Sequence, residues 1–188
     1  MVASEWWLGM SEEAKIKIRN PEMSFKTLVS VGYAYDLQKD LNNTPEFIDP
    51  DLTASIKLGL DNSSLNIGKA IEQRSRVYEV MHQYFKEYDI LITPTLPITA
   101  FKPQWLDTGT VFPLVGKRTL SIMSWMVFTY PFNLTGLPAA SIPSGWSGAG
   151  LPIGMQIVGP RYDEKTVLQV AKAFEEIAPW QDKHPNIN

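Results

Sequence analysis

Apolar positions recur along this chain with two different periods. Over residues 64–88, Ile67, Ala70, Ile71, Val77, Met81, Tyr84, Phe85 and Tyr88 fall three or four residues apart. Lys69, Glu72, Arg76 and Lys86 lie mostly off that stripe, so the spacing predicts one long helix with a single core-facing side. Residues 89–93 follow at once as a short apolar run that Pro94 stops, and a helix feeding directly into such a run is the pattern of an α/β layer. Later, residues 128–160 set three short apolar runs between Gly and Pro, as buried strands joined by tight turns do. Strands are predicted over 137–142 and 153–158, with Ser147, Gly148, Ala149 and Gly150 turning the chain between them. Pro138 and Pro143 lack a backbone donor, which puts the first of these strands at an edge or interrupts it. Gly136, Gly154 and Gly159 mark places where another backbone is expected to come close.

The remaining segments carry weaker helical signals. A short helix is predicted over 11–18, with Ser11 as its cap and Glu12 and Glu13 favourable to its dipole. Ser24 opens a longer one carrying Phe25, Leu28, Val29, Leu37 and Leu41, weakened at Gly32 and ended by Asn42, Asn43, Thr44 and Pro45. Asp49, Pro50 and Asp51 start a short helix through Leu58 that Gly59 helps close. Residues 94–116, with Pro94, Pro97, Pro103, Pro113, Gly109 and Gly116, read as a long loop of the kind that is often functional. Helical character returns over 117–128 through Leu120, Met123, Trp125 and Val127, and Pro131 forbids its continuation. Asp163 caps a final helix using Val167, Leu168, Ala171, Phe174 and Ile177, which Pro179 ends.

Composition narrows the classes open to this pattern. The 188 residues, 44% of them hydrophobic, suit a single domain over 1–188, or one large piece of a bigger domain. Seventeen basic and twenty acidic residues leave a net charge of −3, and no basic run stands out, so no nucleic-acid partner is expected. There is no cysteine, which removes disulfides and thiolate chemistry together. No stretch approaches the apolar length of a membrane span, and residues 1–7 show no signal-peptide pattern. The expectation is a cytoplasmic protein without membrane contact.

Candidate chemistry is sparse. Gly145-Trp-Ser147-Gly-Ala149 comes nearest to a nucleophile elbow, but it lacks the last glycine and is followed by a strand instead of a helix. Thr99 and Lys102 hold the only hydroxyl-x-x-lysine spacing of the Ser-Lys type, in a proline-rich loop. His82 and His184 are isolated, so neither a triad nor a metal site finds its ligands, and no metal or cofactor is expected. Gly148-Ala-Gly150 begins like a dinucleotide loop, yet Gly154 comes one residue late and a strand follows. Glu175 and Glu176 lie on adjacent helix faces and read as solvated. Phe101, Trp125 and Phe128, with Trp105, either line an apolar pocket or pack a core. No residue is assigned a catalytic role.

Three linked motifs add a resemblance. Tyr88-Asp-Ile-Leu-Ile-Thr-Pro-Thr-Leu-Pro97, then Phe128-Thr-Tyr-Pro-Phe-Asn-Leu-Thr-Gly-Leu-Pro-Ala-Ala-Ser-Ile-Pro143, then Gly150-Leu-Pro-Ile-Gly-Met-Gln-Ile-Val-Gly159 resemble the C-terminal third of an amidase signature enzyme. The resemblance covers residues 50–188 closely and the first 45 loosely. It implies hydrolysis of carboxamide C–N bonds through an acyl-enzyme, with a Ser nucleophile, a cis-Ser relay and a Lys base. The family carries those serines and its oxyanion donors on a Gly/Ser-rich segment, whereas the adjacent pair here, Ser63 and Ser64, follows Asp61 and Asn62 without flanking glycines. No catalytic role therefore passes to a residue of this sequence.

What the resemblance does carry over is a pocket wall made of Thr95, Phe101, Trp125, Met126, Phe128 and Thr129, with Asn133 and Gly136 holding the adjoining turn. The A-type subunits of glutamyl-tRNA amidotransferases share the fold and are the alternative within the family. They resemble this chain less at Ser55 and Met126, where they place an Arg and an Asp to grip an amino acid; an apolar Met cannot bind an ammonium group.

The expected fold is α/β, a mixed β-sheet from 89–93, 138–143 and 153–158 flanked by helices over 64–88, 117–128 and 163–178. By the resemblance, this fold is expected to be the C-terminal part of the amidase signature fold. The expected function is that of scaffold and pocket for an amide hydrolase, inactive alone, taking a small amide only when the N-terminal catalytic half is supplied. The alternative is a non-catalytic module that covers orphaned sheet surface through a partner or as a homo-oligomer.

Overall fold

A computed structural model describes residues 18–101, 114–115, 118–119 and 123–183. They divide into two compact units, with the boundary between Met81 and His82. The helix expected over 11–18 lies outside the described residues up to position 17; Ile18 is buried and not helical. Residues 102–113 of the long loop and the tail from His184 also lie outside them. No helix among the described residues is long and apolar enough to cross a membrane.

The first unit is helical. α1 (Glu22–Asn43) starts two residues before Ser24, because Asn20 Oδ1 accepts the Glu22 amide at 3.0 Å. Ser24 is buried instead, and its hydroxyl donates to Gln73 Oε1 at 3.1 Å. Three small residues, Ser24, Ser30 and Ala34, are the buried ones of this helix, and none of Phe25, Leu28, Val29, Leu37 and Leu41 is among them. α2 (Pro50–Leu60) is capped by Asp49, whose side chain accepts the amides of Asp51 and Leu52. Gly59 lies inside α2 and does not close it. A Cβ there would stand 1.9 Å from the Ser30 carbonyl oxygen, so the glycine permits α1 and α2 to touch backbone to backbone. α3 (Ser64–Tyr84) buries Ala70, Val77 and Met81 at the expected spacing. It ends four residues earlier than the pattern predicts, as the amides of Glu87 and Tyr88 both turn back to the Tyr84 carbonyl and Tyr88 stacks on Tyr84 at 4.6 Å.

The second unit holds the sheet. β1 (Leu91–Pro94), β4 (Ala139–Trp146) and β5 (Pro152–Val158) form three strands in the order β1-β5-β4, each antiparallel to its neighbour. The α/β class stands, and among the described strands of this sheet no parallel pair occurs. β4 is an edge of the described sheet and breaks register between Pro143 and Gly145, as expected from Pro143 within it and Pro138 just before it. α5 (Glu164–Ile177), capped by the Asp163 carboxylate on Thr166 N, lays Val167 against Ile142 and Ile157 on one sheet face.

The described residues of 117–128 do not form the expected helix, and the rest of that span lies outside the described residues. Arg118–Thr119 is a short strand, β3, paired with β2 (Leu114–Val115), and Ser124–Met126 is a single 3-10 turn. A short helix that was not expected begins beside Pro131: α4 (Tyr130–Thr135) carries the proline in its first turn, where a missing N–H costs nothing. Gly136 ends α4 in the left-handed region at φ 66°. The close approach at Gly154 is made by the Thr95 and Ser141 side chains, and at Gly159 by the Val167 side chain first, with the Asp163 backbone carbonyl oxygen next at 3.4 Å from where a Cβ would stand.

Candidate functional site

The strand alternation sorts the sheet into two faces. Ile92, Ile157 and Ala140 lie in one row, and Ile142 and Met155 in the next, on the face that packs against α5. Thr93, Gln156 and Ser141 form a row on the opposite face. Thr95 extends that face one step past β1, its amide donating to the Gly154 carbonyl at 2.9 Å. Since Gly154 has no side chain, the Thr95 and Ser141 hydroxyls meet over it at 2.6 Å; an alanine Cβ would lie 2.7 Å from Thr95 Oγ1 and 3.0 Å from Ser141 Oγ.

That hydroxyl pair opens onto a groove of about 550 Å³, lined by Thr95, Leu96, Pro97, Ile98, Ile142 and Ile153 among others. The volume is in the range of small-molecule sites. None of its described lining residues is titratable. The pair can orient a polar atom, since one hydroxyl donates to the other and leaves one O–H free. It supplies no group that accepts or releases a proton near neutral pH.

The six expected pocket residues occupy three settings. Thr95 lines the groove, whose described lining contains none of the other five. Phe101 meets Trp125 edge to face, with centroids 6.0 Å apart. Met126, Phe128 and Thr129 belong to the turn before α4, where the Met126 carbonyl accepts both the Thr129 amide at 2.9 Å and its hydroxyl at 3.0 Å. Phe128 is buried and its carbonyl accepts a hydrogen bond from Gln156 Nε2 at 2.7 Å. Gln156 and Ser141 went unnoticed in the sequence as site residues. Gln156 carries a signal that could have found it: a long amide at an inward position of an apolar strand needs partners.

The serines of this region are bound into local structure. Ser147 Oγ accepts the amides of Ala149 at 3.3 Å and Leu151 at 3.2 Å, which makes it the turn residue of the β4–β5 hairpin. Ser144 donates to the Ile153 carbonyl at 3.2 Å. Glu176 pairs with Lys172 at 3.8 Å and Glu175 with Gln181, so neither acts with the other. In the first unit a groove of about 500 Å³ is lined by Ile18, Arg19, Lys69, Glu72, Arg76 and Val77 among others, charges of both signs over an apolar floor.

The amidase family model matches residues 20–168 of this chain. An acylamidase of Rhodococcus erythropolis is 30% identical over 181 residues, which is 92% of this chain and 36% of that protein. The A-type subunit of the glutamyl-tRNA(Gln) amidotransferase of Streptococcus agalactiae serotype Ia is 37% identical over 171 residues, 85% of this chain and 33% of that protein. The crystal structure of a bacterial aryl acylamidase of the amidase signature family superposes with a TM-score of 0.71 at 26% identity, covering 89% of this chain and 36% of that one. The chain spans about a third of the length of the curated relatives it matches.

Proposed function

Because the chain belongs to the amidase family, we propose that it supplies scaffold and part of the substrate pocket to an enzyme that hydrolyses carboxamide C–N bonds. The nucleophile, relay and base then come from a segment other than these 188 residues. One observation carries this reading: the second unit's groove combines apolar lining and a hydroxyl pair with no titratable described side chain. Such a surface holds and orients a substrate, and the bond-breaking groups must approach from elsewhere. The substrates this wall suits are amides with an apolar acyl or aryl group. Met126 offers no carboxylate to an amino-acid ammonium.

The test is hydrolysis of an aryl amide by the chain alone and by the chain mixed with a polypeptide bearing the family's Gly/Ser-rich segment. Turnover in the mixture and none in either part supports the proposal. Turnover by the chain alone refutes it.

A second reading, a non-catalytic self-associating module, draws on the sheet edges. β1 is an edge of the described sheet, and its Ile92 is 52% exposed. A clean monomer in light scattering at high concentration removes that reading.

A further inference from the structure

Gln156 sits in the middle of β5 and is 5% exposed. Its side-chain nitrogen makes two hydrogen bonds, 2.9 Å to Thr93 Oγ1 and 2.7 Å to the Phe128 carbonyl oxygen. Both contacts demand a donor. A carbonyl only accepts, and the Thr93 hydroxyl has committed its one proton to the Pro94 carbonyl at 3.0 Å, leaving it only lone pairs for Gln156. The two hydrogens of a carboxamide nitrogen meet that demand, whereas the amide oxygen in the same place would face two acceptors. The orientation of the side chain is therefore dictated by its partners.

We propose that Gln156 is a positioning residue for the turn over 125–129: it ties the Phe128 carbonyl to the central strand and so sets where Trp125, Met126 and Thr129 stand. The role rests on the reading of that turn as a pocket wall, and Gln156 acts through the Phe128 backbone without touching substrate. The consequence is a division of labour within one side chain. The Thr93 bond fixes the amide, and the Phe128 bond fixes the turn.

Hydrogen exchange on the intact chain separates these roles. Gln156→Met keeps the volume and removes both donors. It should speed exchange in the peptide over 123–136 about tenfold or more, with α5 unchanged. Thr93→Val removes only the lock on the amide, so exchange over 123–136 should stay as in the wild type. Unchanged exchange in Gln156→Met, or an equal effect of Thr93→Val, overturns the proposal, since a merely space-filling Gln156 would behave that way. If Gln156→Met fails to fold, nuclear magnetic resonance of the wild type decides instead. Both Gln156 Nε2 protons must exchange far more slowly than those of exposed Gln38, and parity overturns the proposal. In the two-part amidase assay, Gln156→Met should raise KM for aryl amides and leave kcat for a small amide unchanged. A wild-type mixture without turnover refutes the pocket reading, while the exchange data still decide the role of Gln156.

Discussion

Replacing Gly59 by alanine should destabilise the first unit, although the same change is favourable in most helices. In an exposed helix interior, glycine to alanine gains about 1 kcal/mol. At Gly59 the added Cβ would lie 1.9 Å from the Ser30 carbonyl oxygen, 2.5 Å from the Ser30 carbonyl carbon and 2.8 Å from Ala34 Cβ. An uncrowded contact begins near 3.4 Å, so α1 and α2 must separate by about 3.4 − 1.9 = 1.5 Å. Overpacking costs about 1–3 kcal/mol where side chains can yield, and a backbone carbonyl cannot turn aside, which puts Gly59→Ala at the upper end or beyond. Subtracting the helical gain leaves a net loss of about 2 kcal/mol. That corresponds to a fall in Tm of about 4–8 °C. Gly32→Ala in α1 and Gly68→Ala in α3 are the controls, since nothing lies within 4 Å of a Cβ at either position. Each should stabilise by about 0.5–1 kcal/mol. Thermal and urea unfolding followed by far-ultraviolet circular dichroism measures all three. Gly59→Ala matching the controls in sign would refute the backbone contact between α1 and α2.

Three further outcomes are expected. Ser147→Ala should cost about 1 kcal/mol through the hairpin turn it closes. It should leave turnover in the two-part amidase assay unchanged; loss of turnover would restore Ser147 as a nucleophile. Asp163→Ala should cost about 1 kcal/mol by uncapping α5, measured by urea unfolding. The Tyr84 hydroxyl is raised above its ordinary value by burial and, to a lesser degree, by Tyr88, and it donates to the Ile90 carbonyl at 3.1 Å. The folded state thus favours the neutral phenol. Its stabilising contribution is complete below about pH 10 and is lost as pH rises through the higher folded value. Tyr84→Phe should abolish that alkaline step in a stability–pH profile, and an unchanged profile would count against the shift.

Features set by local chemistry were legible in the sequence. The β4–β5 hairpin follows from Gly and Pro punctuation, with Gly150 at φ 75° in its turn and β4 at the edge that Pro138 and Pro143 call for. Asp49 and Asp163 cap α2 and α5 as their spacing predicts. Features set by tertiary contact were not. The buried face of α1 is made of Ser24, Ser30 and Ala34, which no hydrophobic period reveals, because backbone proximity rather than side-chain bulk joins α1 to α2. The helix α4 that starts beside Pro131 was missed because a proline can begin a helix as readily as end one, and only the surrounding chain decides which. Of the expected pocket residues Thr95 lines the groove, while its hydroxyl partner Ser141 was given no role in the sequence, because only the strand register brings the two together.

The two faces of the small sheet explain why the motif residues have the identities they do. The face against α5 is closed by Ile142, Ile157 and Val167, where shape and volume suffice and many apolar residues would serve. The opposite face is read one hydrogen bond at a time. Gly154 must lack a side chain so that Thr95 and Ser141 can meet above it. Gln156 must bring two donors to acceptors that come from β1 and from the turn before α4. Substitutions on the first face should therefore change stability in proportion to buried volume, at about 2–5 kcal/mol for a large aliphatic side chain cut to alanine. Substitutions on the second face should change the placement of the groove and the turn more than they change stability. A surface organised that way suits the pocket-wall role proposed above, which requires a ligand held in a fixed pose.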